Sequence, residues 1–544
     1  MNPSTNEVQR LRRRGQMVVS FVILALFGIW PALSNGQPFF YADTPAYVRG
    51  ADLAISRVLG NRFTTAWAKG PRSVTEPLAA SQTAQSSASE PKATRRIVLA
   101  GRSIIYGALL YIGEVFGGMW FSILAQSLIA TYLIFIFTVR ALQLEFRYFL
   151  MGCAVLFLAS PLPFFASFLM PDVFAGFLIL AFAILATSWD RLSRFERAFT
   201  AAVVLFAVLS HATHLLLLVG LTVLSGGYVV FAARAQWISP RRLVTISAAS
   251  VMAAILWEVA FSAAVSRAFG SPPVRPPFIM AKLISIVGEP GVAEVCASNH
   301  FVVCRFQDRF SSDAEAFLWS TNERIGVFNV VDAGTKRLLS DEQSRFALAI
   351  IPSNLGHILI ESFYDALRQL THIGLSEYFY GSSKIAFLQE RLPSGHFDRL
   401  TSSLAAHSDS YLIFGRKVLY ATAVLSSILT ALLLSGVPRL RNARSAEETE
   451  QQRIWRAATY ILLVGITLNA IICGALSVVN HRYEARVIWL IQLTSVTGVC
   501  LMAPHWLIGW LGHQKIRRLP CACNDGRYEP HSRMESWVDG NKFI

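Results

Sequence analysis

Phe39-Phe40-Tyr41-Ala42-Asp43-Thr44-Pro45-Ala46-Tyr47-Val48-Arg49-Gly50-Ala51-Asp52-Leu53-Ala54-Ile55 is the stretch from which this chain is read. It follows directly on the first long apolar run, so it emerges as soon as the chain has crossed a bilayer once. Asp43 or Thr44 offers an N-cap, and Pro45 suits the first helical position. Tyr47, Ala51, Ala54, Ile55 and Val58 then share one helical face, with Arg49, Asp52, Ser56 and Arg57 elsewhere. The pattern predicts a helix lying on the bilayer surface with a carboxylate at its start. The plain reading of Asp43 is a cap. Its place at the water-facing mouth of a membrane bundle raises a functional one, for which Asp52, on another face, is the control.

The composition points the same way. Of 544 residues, 53% are hydrophobic, 37 are Phe and only 15% are charged, against roughly 25% charged in soluble domains. The fold class expected is an all-α polytopic membrane protein. A net charge of +15 raises nucleic acid as a partner. The basic residues are scattered between apolar runs, however, so topology accounts for them and no nucleic acid is expected. Arg12-Arg13-Arg14 precede an apolar run with no clear small-residue cleavage site, which argues against a cleaved signal.

About ten spans are expected, near residues 17–33, 120–139, 149–170, 173–188, two within 199–231, then 243–265, 418–437, 457–479 and 487–511. The run 199–231 would make a helix of about 50 Å, too long for one crossing, and is divided near Ser210-His211-Ala212-Thr213-His214. The chain then divides into a bundle of seven spans (1–265, with an outside loop 34–119 carrying juxtamembrane helices), a mixed outside-loop domain (266–417), three last spans (418–511) and a basic tail (512–544). Ser81 to Ser89 is low-complexity and expected to be disordered. Alternate connectors carry 23 Lys and Arg, whereas the short connectors of the other set carry only Arg482 and Arg486. The positive-inside rule therefore puts both termini in the cytoplasm, for a bacterial inner membrane location.

The cysteines fit that map. Cys296 and Cys304 lie together in an outside loop and are expected to form a disulfide worth about 2–3 kcal/mol. Cys153, Cys473 and Cys500 fall within spans as packing residues. Cys521 and Cys523 sit in the tail without a second pair at metal-site spacing. In the loop 266–417, Ser340 reads as a helix start and Pro352 as its end or a turn. Leu355, Ile358, Leu359, Phe363, Leu367 and Leu370 give a second, amphipathic helix that could cover a cavity or form plain domain core.

Polar groups gather at the same rim as Asp43. Asp172 follows Pro171 in a tight turn, where its plain reading is an N-cap. His211 and His214, spaced to share a face, mark the next turn; they are equally well read as interfacial filler. With no third ligand at suitable spacing, no zinc site is read, and a divalent ion as cofactor is left open. Arg102-Ser103 leads into Ile104-Ile105-Tyr106-Gly107. His481-Arg482-Tyr483 joins the last two spans, and its arginine, with Arg486, either anchors a helix end in headgroups or binds phosphate. Glu258 lies in the outer half of a span, where an ionisable residue is functional by default.

This arrangement resembles the GT-C superfamily of membrane glycosyltransferases, such as protein O-mannosyltransferases and bacterial aminoarabinose transferases. The similar segments are Asp43-Thr44-Pro45-Ala46-Tyr47, Arg102 to Leu110, Ala159-Ser160-Pro161-Leu162 through Met170-Pro171-Asp172, and His481-Arg482-Tyr483. Thr44 stands where many relatives carry a second acid. The resemblance implies a sugar donor on a polyprenyl phosphate, an envelope glycan or lipid acceptor, membrane lipids as surroundings, and transfer on the extracytoplasmic face. Asp43 would be the catalytic base. Arg102 and Arg482 would face phosphate, with Asp172, His211, His214, Glu258, His481 and Tyr483 as further substrate contacts. A polysaccharide polymerase or ligase, a transporter or flippase of lipid-linked sugars, and a scaffold subunit are the alternative readings.

The orientation is directly testable. A single cysteine near Ser86 should label with an impermeant thiol reagent on intact cells whose outer membrane is permeabilised, and one at Ala446 should not. Labelling at Ala446 would reverse the topology.

Overall fold

The structure, a computed structural model, describes residues 5–69, 98–231, 240–310, 312–435 and 446–502. In chain order its helices are α1 (Thr5–Phe27), α2 (Trp30–Asn35), α3 (Thr44–Leu59), α4 (Ala66–Lys69), α5 (Ile104–Gly117), α6 (Met119–Phe135), α7 (Phe146–Ala159), α8 (Leu162–Ala166), α9 (Val173–Ser188), α10 (Arg194–Ser210) and α11 (Ala212–Phe231). They continue with α12 (Pro240–Phe269), α13 (Phe278–Ser298), α14 (Ala314–Trp319), α15 (Ala333–Thr371), α16 (Ser382–Gln389), α17 (Ser394–Thr401), α18 (Leu404–His407), α19 (Ser410–Leu434), α20 (Ala446–Leu476) and α21 (His481–Met502). Among the described residues, seven helices are long and apolar enough to cross a membrane: α6 with its extension to Ala141, α9, α12, α15, α19, α20 and α21. Shorter apolar stretches lie in α1, α5, α7 and α11. The chain is an all-helical membrane protein.

The bundle is built around α9. That helix is apolar on every side up to Thr187, and a helix of that kind has to be surrounded. Every residue from Val173 to Ser188 is buried. The stretch 199–231 divides as its length requires, with His211 in extended backbone between α10 and α11.

The third apolar run departs from expectation. It stops being regular helix at Ala159, where a span to Met170 was expected. Pro161 and Pro163 lack N–H groups, and a residue before proline disfavours helical backbone. The chain bends through short α8 instead, and its free backbone groups find partners in the opening stretch. Phe39 N–H donates to Ser167 O, and Leu169 N–H donates to Phe39 O. The Gln126 amide closes the same bend, its Nε2 donating to Ala166 O and Phe168 O.

The segment 266–417 is two pieces, not one domain. Residues from Val274 to Ile350 form a small core of their own. Residues from Leu375 to Leu412 belong to the core of the bundle. Tyr380 OH takes the Phe40 N–H at 2.6 Å, and Asn35 Oδ1 takes the Ala405 N–H at 2.9 Å. Cys296 and Cys304 are joined by a disulfide, with Cα atoms 5.7 Å apart.

Within this segment α15 corrects two expectations. It starts at Ala333, capped by Asp332, and runs unbroken through Pro352. Its Leu355, Leu359, Phe363 and Leu367 are exposed, so the apolar face does not close a cavity. A proline inside a helix costs about 3 kcal/mol. Here both halves are pinned elsewhere, the first in the small core and the last turns against the bundle. The expected disorder around Ser81 to Ser89 and the basic tail 512–544 lie outside the described residues.

Helix α3 forms over the expected range but is sunk into the protein. Its Tyr47 and Ala51 face packs on α5, so closely that a Cβ at Gly107 would come within 2.2 Å of Tyr47 O. Gly107→Ala should therefore cost about 1–3 kcal/mol, read as a lower unfolding midpoint of the purified protein in detergent. Gly50→Ala, whose Cβ would meet nothing closer than 4.0 Å, should leave the midpoint unchanged or raise it.

Candidate functional site

The Asp43 side chain makes no cap hydrogen bond to α3. Thr44 supplies the local bracing instead, accepting from Tyr41 N–H and donating to Leu169 O. The Asp43 carboxylate turns to Arg102, with Oδ1 and Nη2 2.6 Å apart. Each side chain keeps about a fifth to a quarter of its surface exposed, 21% for Asp43 and 24% for Arg102. A pair so placed aims the carboxylate at the guanidinium while leaving part of it in solvent. Arg102 also donates to Gly101 O and lies over the Trp319 ring. The neighbouring Ser103 caps α5 and ties it to the end of α10 through Leu209 O.

Beneath this pair lies a buried one. Asp172 makes no cap hydrogen bond either; its Oδ1 meets Arg486 Nη1 at 3.2 Å, with 5% and 2% of the side chains exposed. Arg486 also donates to Asn469 Oδ1 and approaches the Cys473 sulfur. Three helices, α9, α20 and α21, are thus tied through one guanidinium. Glu484 is wholly buried beside Asn469, with one carboxylate oxygen unpartnered.

Arg482, one turn before Arg486, is a different case. It is 8% exposed, yet among the described residues no carboxylate pairs with it, and its Nε and Nη1 have no hydrogen-bond partner. Its Nη2 donates to Tyr483 OH, and its guanidinium lies over the rings of Tyr41 and Tyr483 at 4.3 and 4.9 Å. Lys384 also lies over Tyr41, 5.3 Å from that ring, and is bonded to Glu377. Burial pushes the Lys384 ammonium below its usual range, against the attraction of Glu377. Tyr41 feels Arg482, Glu377 and Asp43 together, and burial holds its phenol well above the ordinary value. The two charged sites therefore meet at one phenol.

His211 and His214 stand with ring centroids 5.2 Å apart, and His211 feels the charges of Arg102 and Arg482. His214 Nδ1 donates to Ala207 O, which leaves Nε2 as a buried acceptor with no partner among the described residues. Tyr483 is in the site as expected. His481 is not turned towards it, but stacks on His372 at 3.6 Å.

Two expectations fail. Glu258 is half exposed on α12 and is bonded to Arg275 instead of to any group of this site. A partner from the following loop satisfies it, so its place in an apolar helix needs no functional cause. Asp52 is fully buried, accepting from the Thr65 and Ala68 N–H groups and the Thr65 hydroxyl. It is a structural residue and no control for Asp43. The residues that sequence reading missed are Tyr41, Lys384 and Glu377, brought in by the fold, and Asn469, whose signal is an amide in the middle of an apolar span.

Set against known protein families, curated proteins and solved structures, the chain matches none of them.

Removing one member of the buried pair leaves the other uncompensated, at a cost of about 3–5 kcal/mol. Arg486→Met should thus lower the unfolding midpoint sharply. Asp172→Asn with Arg486→Met should recover part of that loss, which a double-mutant cycle in detergent will measure.

Proposed function

We propose that this chain is an integral membrane glycosyltransferase that moves a sugar from a polyprenyl-phosphate donor to a hydroxyl or amine of an envelope lipid or glycan. The observation that carries the reading is Arg482: among the described residues no carboxylate pairs with this buried cation and two of its donors have no partner, and it lies over Tyr41, whose phenol also feels the Asp43 carboxylate. A planar guanidinium with free N–H groups suits a phosphate. In this reading the bundle has ten spans and both termini in the cytoplasm, and the site faces the extracytoplasmic side of a bacterial inner membrane.

The chemistry follows from the placement. The acceptor oxygen or nitrogen attacks the anomeric carbon, and the bond from that carbon to the phosphate oxygen breaks. The electron pair leaves with the phosphate, whose growing charge Arg482 stabilises, with Lys384 nearby. Asp43 takes the proton released by the acceptor, a role worth typically about 10²–10⁴-fold. Arg102 holds that carboxylate in place. Asp172 and Arg486 set the height of α21, and so of Arg482, against α9.

The test is turnover in proteoliposomes supplied with polyprenyl-phosphate sugars from the native membrane, read as free polyprenyl phosphate by mass spectrometry. Asp43→Asn should keep fold and donor binding and lose about 10²-fold or more in turnover. Glu145→Gln, at an exposed pair elsewhere, should be unchanged. Near-normal turnover by Asp43→Asn would remove Asp43 as the base.

A further inference from the structure

Helix α15 is long and apolar enough to cross a membrane, but its attachments forbid it. Near its start, Arg337 donates to Ser271 Oγ and Pro272 O, and Ser340 Oγ accepts the Arg275 N–H. Those partners follow the end of α12 and lie beside Val274, which bridges to Leu99 just ahead of Arg102. This is the Asp43 rim. Near the other end of α15, Gln369 exchanges hydrogen bonds with the Asn480 backbone, two residues before Arg482. A Cβ at Gly474 would come within 2.8 Å of the Asp365 and Ala366 backbone, so the two helices touch there. This is the same rim again.

The opposite end of the bundle is marked by different pairs, Arg191 with Glu450 and Arg242 with Asp190. Ser340 and Ala366 stand about 39 Å apart along the helix at 1.5 Å per residue, more than the bilayer core of about 30 Å. A helix set upright could not have both points at one rim. It runs across the rim.

The face it leaves open is apolar. Leu348, Leu359 and Phe363 are 76%, 60% and 61% exposed, with Leu355 and Ile360 between them. No Asp, Glu, Lys or Arg occurs from Phe346 to Ile360, while Arg345 precedes and Arg368 follows, the latter 67% exposed. Exposed apolar residues also occur on the spans near its two attachments, Leu256 and Val259 of α12 and Ile471 and Leu476 of α20. A bare apolar face of this length on a water-exposed helix would be a strong liability. Flanked by arginines and joined to lipid-facing walls, it has the form of an interfacial helix.

We infer that α15 is a membrane-embedded roof beam: it lies in the headgroup and acyl boundary of the leaflet at the Asp43 rim, with Leu348, Leu355, Leu359 and Phe363 in the lipid and Arg345 and Arg368 on its phosphates. The partner is the bilayer itself. Because α15 ends on Asn480, the depth of that leaflet bears directly on the residue before the Arg482 turn.

The experiment uses the full chain in nanodiscs of phosphatidylcholine and phosphatidylglycerol, with the Cys296–Cys304 disulfide kept and the other five cysteines replaced. Bimane is attached to a single cysteine at Leu348, Leu359 or Phe363, and at Glu294 as the exposed comparison. Lipids brominated near the carbonyl end should quench the three α15 positions at least about threefold more than Glu294, all three at similar depth. Lipids brominated near the chain terminus should quench them weakly. Quenching of the α15 positions by aqueous iodide alone would show the stripe facing water and overturn the inference. A steady change of depth from Leu348 to Phe363 would show α15 crossing the bilayer and overturn it as well.

Discussion

A guanidinium buried among apolar helices has to be neutralised, and Arg486 meets that demand with Asp172. The pair is dry, so neither charge can be satisfied by solvent if the helices slide. Asn469 and Cys473 take the remaining donors. The consequence is a fixed register between α9, α20 and α21, and that register sets where the first turn of α21 stands. Arg482 is on that turn. Its height, its approach to Tyr41 and its distance from Asp43 all descend from the buried pair below it.

The second constraint is the broken third apolar run. Had residues 160–170 continued as helix, Phe39 would have lost its backbone partners and the opening stretch would have had nothing to lie on. The prolines free the backbone, and the strand-like contact between Phe39 and Phe168 takes it up. Asp43 is then delivered to the rim by a short rigid path, and Arg102 arrives from the start of α5. Two ion pairs, one half open and one sealed, divide the work: the sealed one positions, the open one is available to a substrate.

Much of this was legible in the sequence where a single principle dominated. Bilayer thickness was enough to break 199–231 at His211, and apolar runs located α9, α12, α19, α20 and α21. Asp43, Arg102, Asp172 and Arg482 were recognisable as polar groups at one rim. What was not legible is which charges pair. Capping preference favoured local roles for Asp43 and Asp172, and distant arginines won both. Glu258 looked costly in its helix because Arg275, in the following loop, could not be placed. Asp52 looked free because Thr65 and Ala68 return to it only in the fold. Pro352 looked like a stop because the anchoring of α15 at both ends is tertiary.

Arg482 is the centre of the functional reading, and its affinity for an anion is the most direct thing to measure. The protein in nanodiscs should bind polyprenyl phosphate, the sugar-free leaving group, and Arg482→Gln should bind it more weakly. Hydrogen bonds to a charged group contribute about 1.5–3 kcal/mol, so the loss should be roughly 10- to 100-fold. Equal affinity in the two proteins would mean that the guanidinium holds no phosphate, and the site would need another ligand.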